Sequence, residues 1–412
     1  MKNKLYIILC FCVAVTSCDF FQPESPMPDE FYIKMFGGEG TQEGVALQTL
    51  DSQTTYVFGN SDAYSVVPDI QELYLIKLDK AGNQVWAKSY EATNPNSNNE
   101  AVQMLLTDDR QHLLLLSNEL DGSNTKVRVI KVDLEGNVVW DEKLNTLDGN
   151  QYGATNLSII KGKTNFLVVG TVTVGTVNQI FACEFEDNGR VRWLKNYSFT
   201  DRQDEFGVDI MEFNDNVIVL GRSIDNNNEE RPVIIEGDRA SLGEELQSKI
   251  VFKNELNTIS MIKAQEFLRQ GTNDFLILCD IDNESHVITT TINSEQSIIV
   301  ATADNPTEVE PNLIPVSFSE TADGSLLVTG KSSAKQQVGV IKYNIANGAV
   351  WPLRTFGLDL EEATQVIGRE SIGSQIKEQA DGTILIVGTM DFSTKNMIGV
   401  IKTNADGELR NN

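Results

Sequence analysis

The amino-acid sequence predicts an all-β protein: a seven-bladed β-propeller of four-stranded blades, its ring closed by the N-terminal strand pairing with the last three strands of the chain. Three observations carry this. An apolar strand with a small residue near its end recurs seven times, at Gly59, Ser117, Gly170, Gly221, Cys279, Gly330 and Gly388, 51 to 58 residues apart. A second register keeps the same period: a closing strand with Trp86, Trp140, Trp193 and Trp351, and degenerate copies near Leu246 and Val300. No long stretch with a helical period of 3.6 interrupts them.

Each unit reads as four short strands. The first carries a small residue (Gly44, Ala101, Gly153, Gly207, Ala363), as inner strands crowding an axis require. The third alternates in "LYLIKLD", "VRVIKVD" and "IGVIKTN". It turns into the fourth through "LDKAGNQVW", "VDLEGNVVW" and "FEDNGRVRW". There an acidic residue caps its own turn, and Gly82, Gly136 and Gly189 supply positive φ. The tryptophan then adds bulk where the wedge between blades is widest. A lone sheet of this size cannot bury both faces, whereas blades stacked around an axis bury them against each other. The lysines of the third strand, Lys77, Lys131, Lys342 and Lys402, repeat and so read as scaffold.

The last unit stops after its third strand and the turn at Gly407. The missing fourth strand is matched by "EFYIKMFGG" at residues 30–38, which would close the ring and remove two open edges.

The segments "YLIKLDKAGNQVWAKSY", "VRVIKVDLEGNVVWDEKL" and "VGVIKYNIANGAVWPLRTFG" resemble the bacterial SBBP-type β-propeller repeat. The resemblance runs from about Phe31 to the C-terminus and is poor over 198–304, where the tryptophan is lacking. It implies a propeller in an exported bacterial protein and no single activity. PQQ-type propellers, such as the outer-membrane assembly lipoprotein BamB, are similar but have eight blades and a different turn motif.

Residues 1–17 read as a signal peptide, with Lys2 and Lys4 before the apolar run Leu5 to Val15, which is too short to span a bilayer. The run Val15-Thr16-Ser17-Cys18 resembles a lipobox, which implies lipidation of Cys18; an ordinary secretory signal is the other reading. Residues 18–29 form the lipidated cysteine and a proline-containing tether, and 30–412 the single propeller domain. Asp19 to Asp29 reaches at most roughly 36–40 Å. Acidic residues after the cysteine, Asp19 and Glu24, resemble those of surface-exported lipoproteins of Bacteroidota. The expected location is therefore the outer membrane, on either its periplasmic or its outer side. In a propeller the tether would leave from the side opposite the leading ends of the first strands.

A net charge of −26 excludes nucleic acid as a partner, since phosphate recognition needs a basic footprint. Only two histidines are present, and Cys183 and Cys279 sit in apolar strands as buried free thiols. No metal-ligand spacing appears, no catalytic motif appears, and a non-enzymatic protein without a cofactor is expected. "DIDNES" at Asp280–Ser285 begins like a calcium loop but lacks its glycine and terminal glutamate.

One constellation has chemical content. Glu43, Glu100, Glu205 and Glu362 lie one or two residues before the small residue of their first strands, so they are expected around one mouth of the channel. There they would focus negative potential on calcium or a basic partner, or else bond backbone N–H groups. The main functional reading is an envelope lipoprotein that presents an acidic face to an envelope protein partner. The alternatives are a glycan-binding or glycan-acting propeller and a BamB-like assembly factor. Convergent arginine, tyrosine and carboxylates at the channel mouth would favour the glycan reading; carboxylates alone would not.

Overall fold

The strands form seven sheets. In the computed structural model the described residues are 31–410, apart from 64, 66, 123, 145–147, 200–201, 214–215, 239–243, 247, 253–260, 271–272, 296–297, 304–305, 358–369 and 393–394. Blade 1 runs Gln42–Asp51, Thr54–Ser61, Glu72–Leu78 and Gln84–Tyr90, each strand antiparallel to the one before. Blades 2, 3, 4 and 6 repeat this order from first strands Asn98–Leu106, Gln151–Ile159, Arg202–Phe213 and Leu313–Glu320. The degenerate fourth strand near Leu246 is present as Glu244–Leu246 in blade 4. Blade 5 begins at Lys263–Arg269 and departs from the pattern. Its outer side is made by Ile298–Ala303 and Thr307–Glu310, and Ser248–Phe252 is added in parallel beyond the former.

Blade 7 takes Ile372–Glu378, Ile384–Phe392 and Lys395–Thr403 from the end of the chain and Tyr32–Phe36 from its beginning. Tyr32 pairs with Lys402 and Phe36 with Ile398. Ring closure by the N-terminal strand is thus the observed topology. The chain arrives at Tyr32 on the side that carries the turns between first and second strands. The leading ends of the inner strands are on the other side.

Among the described residues the core is a set of seven apolar clusters, one between each pair of neighbouring blades. The cluster that seals blade 7 to blade 1 joins Tyr32, Phe36, Leu385 and Val400 to Leu47, Val57, Tyr74 and Ile76. The others join blades 1 and 2, 2 and 3, 3 and 4, 4 and 5, 5 and 6, and 6 and 7. Each sheet therefore buries both faces only because it has two neighbours.

The repeated aromatic serves these junctions. Trp86, Trp140 and Trp351 lie opposite Lys77, Lys131 and Lys342, and Tyr32 lies opposite Lys402. Each ring covers the turn glycine of the following blade. A Cβ on Gly136 would stand 2.8 Å from Trp86, one on Gly407 3.0 Å from Trp351, and one on Gly82 2.3 Å from Tyr32. The glycine is thus required twice, by a φ of +73° at both Gly82 and Gly136 and by the ring above it. Trp193 differs: it lies opposite Glu184 and donates its Nε1–H to that buried carboxylate at 2.9 Å.

Small residues in the inner strands are explained in the same way. A Cβ on Gly44 would meet the Gly388 carbonyl at 2.4 Å, and one on Gly207 the Gly170 carbonyl at 2.4 Å. Two assignments shift. In blade 3 Ala154, not Gly153, pairs with Gly170. In blade 7 the position belongs to Gly373, which pairs with Gly388; Ala363 lies outside the described residues. Cys183 and Cys279 are buried free thiols, and burial pushes both well above the usual thiol range.

Candidate functional site

The predicted acidic mouth is placed by strand register. Glu43 and Glu100 come one residue before Gly44 and Ala101, the residues that pair with Gly59 and Ser117. Both are exposed, in neighbouring blades. Glu205 comes two residues before Gly207, so the pleat turns it to the other face. It is buried and accepts the Phe199 amide N–H at 3.1 Å. Glu362 lies outside the described residues. The positions equivalent to Glu43 in blades 3 to 7 are Gly153, Phe206, Lys263, Ile314 and Ile372. The mouth is therefore mixed: two acids on one side, and Phe206 and Lys263 side by side in blades 4 and 5.

Arg222 lies across from Phe206, with its guanidinium 5.3 Å from the ring centre, and pairs with Glu230 at 2.7 Å. Its Nε is buried without an acceptor among the described residues. The mouth thus brings together an aromatic ring, an arginine, a lysine and carboxylates, with phenylalanine in place of the tyrosine that the glycan reading called for.

Deeper in the channel the seven inner strands share a feature that sequence reasoning missed. Every one has a bulge just after its small residue, between Gly44 and Ala46, Ala101 and Gln103, Ala154 and Asn156, Gly207 and Asp209, Ala264 and Glu266, Pro315 and Ser317, and Gly373 and Gln375. A bulge re-aims the side chain that follows it. In six of seven blades that side chain is polar, and most of these reach the next blade. Gln103 Nε2 donates to Asn156 Oδ1 at 3.4 Å, and Asn156 Nδ2 to Asp209 Oδ1 at 2.8 Å. The Phe267 N–H donates to Asp209 Oδ2 at 3.0 Å, and the Phe318 N–H to Glu266 Oε2 at 2.7 Å. The Leu47 N–H donates to Gln375 Oε1 at 2.6 Å. Blade 1 has Ala46 at this position and substitutes Gln48, whose Nε2 donates to the Met104 carbonyl at 3.0 Å.

Within this girdle Asp209 and Glu266 occupy adjacent blades, three residues beyond Phe206 and Lys263, roughly 10 Å along the strands. Burial pushes the Asp209 carboxyl up to about 6, against the N–H groups of Ile210 and Phe267, which favour its charge. Burial, and then the negative charge of Asp209, push Glu266 up to about 8, against hydrogen bonds from Phe318 and Ser317. The two titrate as a pair. Burial and their mutual repulsion disfavour ionising both, so the pair keeps a proton to higher pH than two separate carboxyls would. The segments small-x-polar-apolar ("AVQM", "ATNL", "GVDI", "AQEF", "GSQI") were the signal available in the sequence.

"DIDNES" forms a tight hairpin, with positive φ at Asp282 and Asn283 and the Asn283 N–H donating to Asp280 Oδ1 at 2.9 Å. Glu284 of this segment, together with His286 and Glu308, brings one ligand atom to a cluster whose atoms lie within 4.8 Å of one another. Two carboxylates and an imidazole suit a transition ion better than calcium, which prefers oxygen.

No family model matches the chain, and no curated protein matches it. Among solved structures it is similar to a periplasmic gluconolactonase of Pseudomonas aeruginosa, with 12% identity and a TM-score of 0.47 over 79% of this chain and 95% of that one. It is similar to an oligogalacturonate lyase of Vibrio parahaemolyticus, with 11% identity and a TM-score of 0.49 over 92% of this chain and 98% of that one. It is also similar to a puromycin hydrolase, with 12% identity and a TM-score of 0.44 over 87% of this chain and only 51% of that one. All three are named as enzymes, and the expectation of a non-enzymatic chain is withdrawn. The β-propeller rests on the chain's own seven sheets and their closure by Tyr32–Phe36.

Proposed function

We propose that this chain is an exported, membrane-anchored propeller that takes a carbohydrate-class ligand at the mouth formed by blades 4 and 5, above the Asp209–Glu266 pair. The observation that carries this is the pair itself, two carboxyls at the bulges of adjacent inner strands that share the channel and disfavour ionising together. Such a pair can donate to and accept from ligand hydroxyls and can transfer a proton. Above it, Phe206 offers an apolar ring for a sugar face, and Arg222 Nε and Lys263 offer donors. The anchor is the lipid expected on Cys18. The chain reaches blade 7 at Tyr32, on the turn-bearing side, so the mouth would be held away from the membrane.

The test is a binding screen of the full chain against neutral and uronic oligosaccharides by calorimetry, with turnover followed for each one bound. Binding weakened by Lys263→Gln and Phe206→Ser supports the reading, and no binding by any sugar contradicts it.

A second reading, docking of an envelope protein partner, is favoured by the outer rim. Val85, Val139 and Val350, each just before the blade's tryptophan, are 58%, 51% and 52% exposed. Partners recovered from native membranes and lost on Val→Ser substitution at these three sites would favour it; none recovered would remove it.

A further inference from the structure

The other side of the ring, where the turns lie and the chain arrives at Tyr32, holds a cavity of about 260 Å³ between blades 7, 1 and 2. Four cations line it: Lys80, Arg110, Lys377 and Lys402. This is unusual in a chain of net charge −26. Three acids also line it, but each is committed to a backbone N–H. Asp51 Oδ1 accepts from Gln53 at 2.8 Å, Glu378 Oε2 from Ala322 at 2.7 Å, and Asp381 Oδ1 from Thr383 at 3.0 Å.

The cations have no such partners. Among the described residues none of the four side chains makes an ion pair or a hydrogen bond. Lys402 is the telling case, because it is only 6% exposed. Its counterparts Lys77, Lys131 and Lys342 are paired with Glu135, Asp187 and Asp323. The turn of blade 1 has Ala81 where blade 2 has Glu135, so the carboxylate that acts on Lys402 is Asp381 of its own blade, the counterpart of Asp323, and it makes no direct ion pair with Lys402. One buried donor, Gln379 Nε2, lines the same cavity and lacks an acceptor among the described residues. Lys377, although its side chain reaches solvent, is held below the usual ammonium range by loss of water and by repulsion from Arg110. A buried donor without an acceptor and four cations against three carboxylates around one cavity favour an anion that completes them.

We propose that this cavity binds a phosphoryl-class oxyanion, with Lys402 and Gln379 at its floor and Arg110 and Lys377 at its rim. Guanidinium and ammonium groups give such an anion charge-assisted hydrogen bonds. Such an anion is available free in solution and as the headgroup of a phospholipid, and the position on the side where the chain arrives permits either.

The experiment titrates the full chain with inorganic phosphate by calorimetry and, in a second arm, measures co-sedimentation with vesicles of phosphatidylglycerol in phosphatidylcholine. The acidic surface as a whole repels such vesicles, so their capture would report the cavity. Wild type is expected to bind at least one probe, and Lys402→Gln to weaken it at least about tenfold. The double variant Arg110→Gln/Lys377→Gln, at exposed positions, should do the same even where Lys402→Gln disturbs folding. Phosphate binding assigns a free anion, and vesicle binding alone assigns the headgroup. Binding of neither probe, or affinity kept in the double variant, overturns the proposal. Asp209→Asn should leave this binding unchanged, which separates it from the channel reading.

Discussion

Tyr32 lies directly across from Lys402, at the position that Trp86, Trp140 and Trp351 occupy across from their own lysines, and its ring covers Gly82 as theirs cover the turn glycines of the following blades. One pair, 370 positions apart in the chain, therefore reproduces a local feature of the repeat. The ring closes by the same contacts that hold its other blades together.

Tyr32→Ala should cost about 3 kcal/mol, because it removes a buried aromatic from the blade 7 to blade 1 cluster. Tyr32→Trp should be tolerated. Gly136→Ala should cost more than Gly324→Ala: both glycines have positive φ, but only at Gly136 does a Cβ strike a ring. Thermal melts of the four variants check this, and deletion of residues 30–38 should lower the melting temperature further or cause aggregation.

Asn118 ties blade 2 to blade 3 twice. Its Oδ1 accepts the Ala154 N–H at 2.7 Å, and its Nδ2 donates to the Ala154 carbonyl at 3.0 Å. Asn118→Ala leaves two buried backbone groups without partners and should cost about 2–4 kcal/mol by denaturant unfolding.

The raised carboxyls fix a sign for the pH dependence. Asp209 and Glu266 hold protons more tightly folded than unfolded, so their contribution to stability is complete below their ordinary range near pH 4 and is lost as pH rises through about 6 and about 8. Wild type should therefore lose melting temperature between about pH 4 and about pH 8, and Glu266→Gln should flatten the upper part of that fall. A carboxylate with a depressed value, such as Asp323 beside Lys342 and Thr321, acts in the opposite direction and only in acid.

Cys18→Ser should abolish labelling by a palmitate analogue and move the protein from the membrane fraction to the soluble one. Labelling that persists in the variant would remove the lipid anchor from the account.

The repeat was legible because its signals are local: turn glycines, tryptophans and small residues recur at fixed offsets, and the missing last strand could be matched to residues 30–38. Two things were not legible, for physical reasons. Moving one position along a strand changes the face, and the sequence places Glu205 and Phe206 side by side without saying which one reaches the mouth. The girdle was hidden because its identities vary, from alanine through amides to acids, and only the bulge shared by all seven strands aligns Asp209 with Glu266. In blade 5 the added strand Ser248–Phe252 displaces the simple four-strand pattern, and the poor repeat match over 198–304 is its sequence counterpart.

The most direct test of the channel reading is calorimetric titration with the best-bound oligosaccharide at about pH 6 and at about pH 9, for wild type, Glu266→Gln and Asp209→Asn. Binding by wild type should be tighter at the lower pH, where Glu266 keeps its proton. Glu266→Gln, which always carries a neutral donor, should lose most of that pH dependence, and Asp209→Asn should bind more weakly at both. Equal affinity for all three proteins at both pH values would contradict a role for the Asp209–Glu266 pair.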